Sequence, residues 1–97
     1  MYKILIAHDV AEGAELRATT KTVHKAYLDA PPPGIEVLLS GPLLGDDGGE
    51  IGSVIVFRSN DAAQLRAFLA NEPYIRAGLF ARTELREWNW VRGNPYR

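Results

Sequence analysis

The chain has 97 residues, 46% of them hydrophobic and 24% charged, which suits a single domain with a modest core. Its formal charge of −1 supplies no general attraction to nucleic acid or to an anionic membrane surface. There is no cysteine, so disulfides, thiolate nucleophiles and cysteine-bound metals are excluded.

The opening MYKILIAHD is too short an apolar run for a signal peptide. No stretch approaches the roughly 18 apolar residues of a membrane span, and the cytoplasm is the expected compartment. YKILIAH reads as a strand buried on both faces, with Tyr2, Ile4 and Ile6 on one parity and Leu5 and Ala7 on the other. Residues 12–29 change to a helical period. Leu16, Thr20, Val23 and Tyr27 form the expected inward stripe, with Lys21, Lys25 and Asp29 on the polar side. APPPG ends this helix, because successive prolines neither continue it nor donate the missing hydrogen bonds.

IEVLLSGPLL and EIGSVIVFRS are the second and third strands, joined as a hairpin by the turn residues DDGG. Val37 and Leu39 are expected on one face of the second strand, opposite Leu38. SNDAAQLRAFLAN opens with capping residues and carries Ala62, Leu65, Phe68 and Leu69 at helical spacing. EPYIRAG is a further short turn, with Pro73 acceptable at a helix start. LFARTELREWNWV is a long final strand, and RGNPYR a tail.

The order βαββαβ predicts a ferredoxin-like α+β fold over residues 1–97: a four-stranded antiparallel sheet with two helices on one face. The other face is apolar and has no cover of its own. A homodimer through this face is the expected answer, with assembly beyond a dimer left open.

Asp9, at the end of the first strand, fits a capping box in Asp9-Val10-Ala11-Glu12, and a lone histidine in mid-helix, His24, is ordinarily a boundary residue. Their placement supports a second reading. Arg17 and His24 are seven apart and project from nearly one side of the helix, about 100° from the Leu16–Val23 stripe. The start of that helix packs near the end of the first strand, within reach of Asp9. A carboxylate beside an imidazole fixes its tautomer, the usual arrangement for a general base.

His8, Asp9 and His24 invite a metal site, but strand alternation sends His8 and Asp9 to opposite faces; no metal is expected. SGPLLGDDGG lacks the Gly-Lys-Ser/Thr ending of a phosphate loop. From Arg76 onward the chain has five arginines and two glutamates, with Trp88, Trp90 and Tyr96 interleaved. Such a segment can bind single strands. Trp88 and Trp90 share a face with Phe80, however, and packing is the expected role; no specific nucleic acid partner is predicted.

Taken in order, the strand ending in Asp9, the ELR containing Arg17, His24, Gly41-Pro42, GSVIVFRS and EPYIRAGL resemble the YCII-related (YciI-like) family over nearly the whole chain. The resemblance implies a dimeric α+β barrel, no cofactor, and an active site centred on a histidine–aspartate pair, by position His24 and Asp9. Arg17 and Ser53 fall where substrate-binding neighbours would lie. Glu72 is a third candidate for substrate binding; it stands where the family has aspartate before Pro-Phe/Tyr, which keeps the charge but moves the carboxylate. A helix-start carboxylate favoured by the dipole also accounts for it.

The implied chemistry is proton abstraction next to a carbonyl, with elimination or isomerisation of a small carbonyl-bearing or anionic substrate, as in a lyase or dehydrochlorinase. A non-catalytic domain that binds a small ligand, or an accessory subunit, is the alternative.

Overall fold

The computed structural model describes Met1–Tyr96; Arg97, the end of the expected tail, lies outside the described residues. Strand β1 (Tyr2–Asp9) leads to helix α1 (Ala14–Asp29), strands β2 (Ile35–Leu44) and β3 (Glu50–Ser59), helix α2 (Ala62–Ala70), the single turn α3 (Pro73–Arg76) and strand β4 (Phe80–Trp88). The sheet order is β2-β3-β1-β4, with every neighbouring pair antiparallel. This is the ferredoxin-like α+β fold expected from the element order.

Register decides which side chains meet the helices. Leu5 lies opposite Ile55, Lys3 opposite Phe57 and Ala7 opposite Ser53, so Leu5, Ala7, Ser53, Ile55 and Phe57 share the covered face. Leu5, Ile55 and Phe57 join Leu28, Ile35, Leu65, Phe68 and Leu69 in one buried cluster. Each of these side chains contributes roughly 1.5–3 kcal/mol through removal from water. Tyr27 closes the cluster's edge by stacking on Phe68 at 4.6 Å and donating to the Phe68 carbonyl at 2.8 Å.

The opposite face carries Ile4, Ile6, Val54 and Val56, and here β2 departs from simple alternation. Its register shifts between Val37 and Leu39, so Val37 pairs with Phe57 on the helix side while Leu39 pairs with Val56 on the open side. The expectation of one shared face is corrected by this bulge at Leu38.

Two expectations for α1 are also corrected. The capping box does not form: the helix starts at Ala14, its cap is Gly13, and no side chain caps it. Glu12 instead takes a positive φ of 60° in the turn before the helix, and Asp9 is engaged elsewhere. The inward stripe is also rotated. Arg17, His24 and Leu28 are the buried residues of α1, whereas Val23 is 56% exposed. Two polar side chains occupy the inner face because each has a charged partner there, which offsets the cost of burial.

Gly52 adjusts the sheet next to Ser53. A Cβ at this position would sit 2.3 Å from the Ala7 carbonyl oxygen and 3.0 Å from Leu43 Cδ1, so only glycine lets β1 and β3 approach this closely.

Strand β4 ends at Trp88 rather than Val91. Trp90 stacks on Trp88 at 5.2 Å and meets Tyr2 edge-on at 5.7 Å, while Tyr96 packs against Trp90 and lies under Arg58. The C-terminal aromatics thus pack within the chain across one end of the open face. Among the described residues no helix is long and apolar enough to cross a membrane.

Candidate active site

The site is built where the start of α1 crosses the far ends of β1 and β3. Asp9 ends β1 beside a register shift between His8 and Asp9. Arg17, one turn into α1, grips it with both arms of its guanidinium: Nε donates to Oδ2 at 2.7 Å and Nη2 to Oδ1 at 2.8 Å. Their side chains are 4% and 5% exposed. A buried bidentate pair of this kind is strong only because both ions are matched; an orphaned partner would cost about 3–5 kcal/mol. The hydrogen bonds that Arg17 donates to Asp9 hold its guanidinium above its already high ordinary pKa, against the opposing effect of burial. Arg17 Nη2 also donates to Ser53 Oγ at 3.0 Å.

His24 lies two turns further along the same buried stripe. Its Nδ1 is bonded to Glu72 Oε1, and Glu72 is 1% exposed. Glu72 also caps α3, its other oxygen accepting from the Ile75 backbone N–H at 3.1 Å. The helix-start reading of Glu72 holds, since its carboxylate caps the short helix, and Oε1 is bound to the imidazole behind the cavity. Asp9 does not orient His24. A carboxylate already chelated by a guanidinium fork has its oxygens committed, and the imidazole takes the other buried carboxylate.

Tyr74 joins the two halves. It is 1% exposed, its ring stacks on His24 at 3.8 Å with 16° between planes, and Arg17 Cζ lies 4.8 Å from its centroid. Its hydroxyl donates to the Arg17 carbonyl at 3.5 Å. Burial raises the Tyr74 pKa above its ordinary value, with Arg17 opposing and Glu50 and Glu72 adding to the rise. Glu72 and Tyr74 are thus presented together by one turn, Pro73–Arg76.

These residues back a cavity of about 230 Å³, lined from α1 by Arg17, Lys21, His24 and Lys25 and closed opposite by Ser40–Pro42, Ser53 and Ile55. Among the described residues every buried polar side-chain atom has a partner. Among the described residues no hydrogen bond reaches His24 Nε2 or Arg17 Nη1, and both side chains line the cavity, so these are the atoms left for it. In the neutral tautomer that donates from Nδ1 to Glu72, Nε2 is the acceptor. Ser53 accepts from Arg17 and keeps its own proton to donate. The site presents one base and two donors to a bound molecule.

Of the residues singled out from sequence, His24, Arg17, Ser53, Asp9 and Glu72 all meet here. His8 does not; it lines a separate hollow on the open sheet face with Ile6 and Arg82. Among the described residues no three potential metal ligands converge. Tyr74, Lys21, Lys25 and Glu50 were given no role from sequence. The signal for the lysines was present in their i+4 and i+8 spacing from Arg17, although the hydrophobic period puts Lys21 and Lys25 on the polar side of the helix.

The model of the YCII-related domain matches residues 1–89. The chain belongs to the YCII-related family. Its fold is that of the dimeric α+β barrels. Among solved structures it is similar to the 5-chloro-2-hydroxyhydroquinone dehydrochlorinase TftG of Burkholderia phenoliruptrix in complex with 2,5-dihydroxybenzoquinone. That match is 26% identical, covers 92% of this chain and 94% of the other, and has a TM-score of 0.80. SnoaB, a cofactor-independent oxygenase from Streptomyces nogalater, shares the fold at 14% identity, with 96% of each chain covered and a TM-score of 0.58. No curated protein matches the sequence.

Proposed function

We propose that the YCII-related chain is a small cofactor-independent enzyme in which His24 abstracts a proton next to a substrate carbonyl. The observation that carries this reading is the imidazole whose Nδ1 is tied to buried Glu72 while Nε2 is left to the cavity. Glu72 holds the tautomer and stabilises the imidazolium that forms as the proton transfers. Arg17 Nη1 and the Ser53 hydroxyl face the developing enolate oxygen. Where a leaving group stands on the neighbouring carbon, the electron pair of the broken C–H bond expels it and His24 retains the proton. Elimination and isomerisation share this first step, and dehydrochlorination, the activity named for the Burkholderia relative, is one instance of it. Asp9 acts through Arg17 as a positioning residue.

The test is incubation in D₂O with simple cyclic ketones and with 5-chloro-2-hydroxyhydroquinone, following deuterium uptake by NMR and chloride release. The expected result is exchange or release that His24→Gln slows by about 100-fold or more. Compounds that bind at the cavity yet react no faster than in buffer would favour the non-catalytic ligand-binding alternative.

We also propose that a second copy covers the open sheet face, where Ile4, Ile6 and Val54 are only half-buried and Leu39 is 45% exposed. Light scattering should then give about 21 kDa, twice the 10.7 kDa chain. A stable monomer at micromolar concentration would exclude it.

A further inference from the structure

The cationic side chains of α1 form a ladder along the cavity. Arg17, Lys21 and Lys25 follow one another at i+4 spacing, spanning roughly 12 Å of helix, and all three line the cavity with His24. Arg17 is neutralised by Asp9. Lys21 is neutralised by Glu50, 3.3 Å away across the cavity mouth from β3. His24 has Glu72. Lys25 has no carboxylate partner among the described residues, and it is the one rung of the ladder left uncompensated.

The balance is informative. With neutral His24 the group holds three positive side chains (Arg17, Lys21, Lys25) and three carboxylates (Asp9, Glu50, Glu72). With His24 neutral, the end of the cavity that holds the base has two cations, Arg17 and Lys21, against the three carboxylates, so a substrate anion is directed away from it and towards Lys25. Lys25 stands at the end of the ladder away from Arg17, on the cavity that Ser40, Gly41 and Pro42 also line. A cavity of about 150 Å³ holds a benzene ring, so about 230 Å³ admits one six-membered ring with substituents.

We infer that Lys25 is a specificity-determining residue, and that the substrate is a singly ringed carbonyl compound carrying one negative charge remote from the reacting carbon. This inference deepens the proton-abstraction reading above and rests on it. A carboxylate, or an ionised enol or phenol oxygen, at the Lys25 end of the cavity completes the unpaired ammonium. The carbonyl then sits by Arg17 and Ser53, with the adjacent C–H at His24 Nε2. A neutral analogue leaves Lys25 to solvent and loses only that contact.

The test compares 4-oxocyclohexanecarboxylate with its neutral amide, 4-oxocyclohexanecarboxamide, by calorimetry or NMR titration and by deuterium uptake beside the ketone. The wild-type protein is expected to bind the carboxylate about tenfold more tightly than the amide at low ionic strength, with the advantage shrinking as salt rises. Lys25→Met keeps the length of the side chain and is expected to erase the advantage, while Lys25→Arg retains most of it. Equal binding of the two probes overturns the inference, as does an advantage that survives Lys25→Met, or binding of both weaker than about 10 mM. The two proposals fail separately. His24-dependent exchange on carboxylate and amide alike removes the role of Lys25 and leaves the chemistry. Binding that favours the carboxylate through Lys25, with no exchange above buffer, removes the chemistry and leaves the binding preference.

Discussion

At one end of the sheet's helix-facing side, Leu5, Ile55 and Phe57 meet Leu28, Leu65 and Phe68. At the other end, the same strands meet Arg17, His24 and Tyr74 through Asp9 and Ser53. Both regions are buried, and α1 contributes to both from a single stripe. The first is held by removal of apolar surface, which is non-directional and tolerant of changes that conserve volume. The second is held by matched charges and hydrogen bonds, where a missing partner costs more than a missing contact. The difference shows why the polar end can be a site: it keeps unpartnered atoms toward a cavity because every atom behind them is satisfied.

The comparison predicts opposite responses to paired substitutions. Asp9→Ala leaves Arg17 buried without its anion and is expected to lower stability by about 3–5 kcal/mol, measured by urea unfolding. Adding Arg17→Met, which removes the orphaned charge and refills the space, should restore most of that loss. If the double variant is no more stable than Asp9→Ala alone, the cluster is structural in a way that charge matching does not explain. In the apolar region Leu65→Ala is expected to cost about 2–5 kcal/mol through the cavity it opens. No single polar-to-apolar change elsewhere should recover it.

The two regions also differ in how far they were legible in the sequence. The apolar end is local and periodic: Leu65, Phe68 and Leu69 stand on one helical face, and β2 and β3 begin and end where the alternation and the DDGG turn place them. The polar end depends on partners distant in the chain. His24 meets Glu72 from 48 residues away, and Arg17 reaches Ser53 from 36 away. Hydrophobic periodicity therefore turned α1 toward Val23, since nothing within one helix reveals that an arginine and a histidine will find carboxylates. The family motif brought the right residues together by position, and spacing put Arg17 near Asp9. Which carboxylate served His24 was not readable, because it depends on one methylene in Glu72 and on the path of a four-residue helix. Tyr74 stood in the quoted motif without a role, because stacking against a side chain 50 residues earlier leaves no periodic trace.

A smaller effect on stability, with a larger one on activity, is expected from Glu72→Gln. The amide has one acceptor oxygen in place of two, so it keeps either the Ile75 cap or the bond from His24 Nδ1, and unfolding should shift by about 1–3 kcal/mol. It lacks the negative charge that steadies the imidazolium in the transition state. His24-dependent deuterium exchange should fall roughly 10–100-fold in kcat with KM little changed. A rise in KM at constant kcat would instead make Glu72 part of ligand binding.

The smallest expected effect separates the ring of Tyr74 from its hydroxyl. The ring supplies the stack on His24 and the seat for Arg17; the hydroxyl makes one long bond to the Arg17 carbonyl. Tyr74→Phe should therefore change stability at pH 8 by less than about 1 kcal/mol. The contrast appears in alkali. Burial, outweighing Arg17, places the folded-state pKa of Tyr74 above its ordinary value near 10. Below about pH 10 the hydroxyl is neutral in both states and its contribution is complete. As the pH rises through that value the unfolded chain loses its proton first, which favours unfolding until the folded-state pKa is passed. Tyr27 is shifted the same way, by burial and then by Glu72, so a residual decline is expected in any variant that keeps it. Urea midpoints followed from pH 8 to 11 should fall less steeply for Tyr74→Phe than for the wild-type chain. Parallel declines would mean that the hydroxyl already reaches water through the cavity, and that the polar end is less dry than its matched charges require.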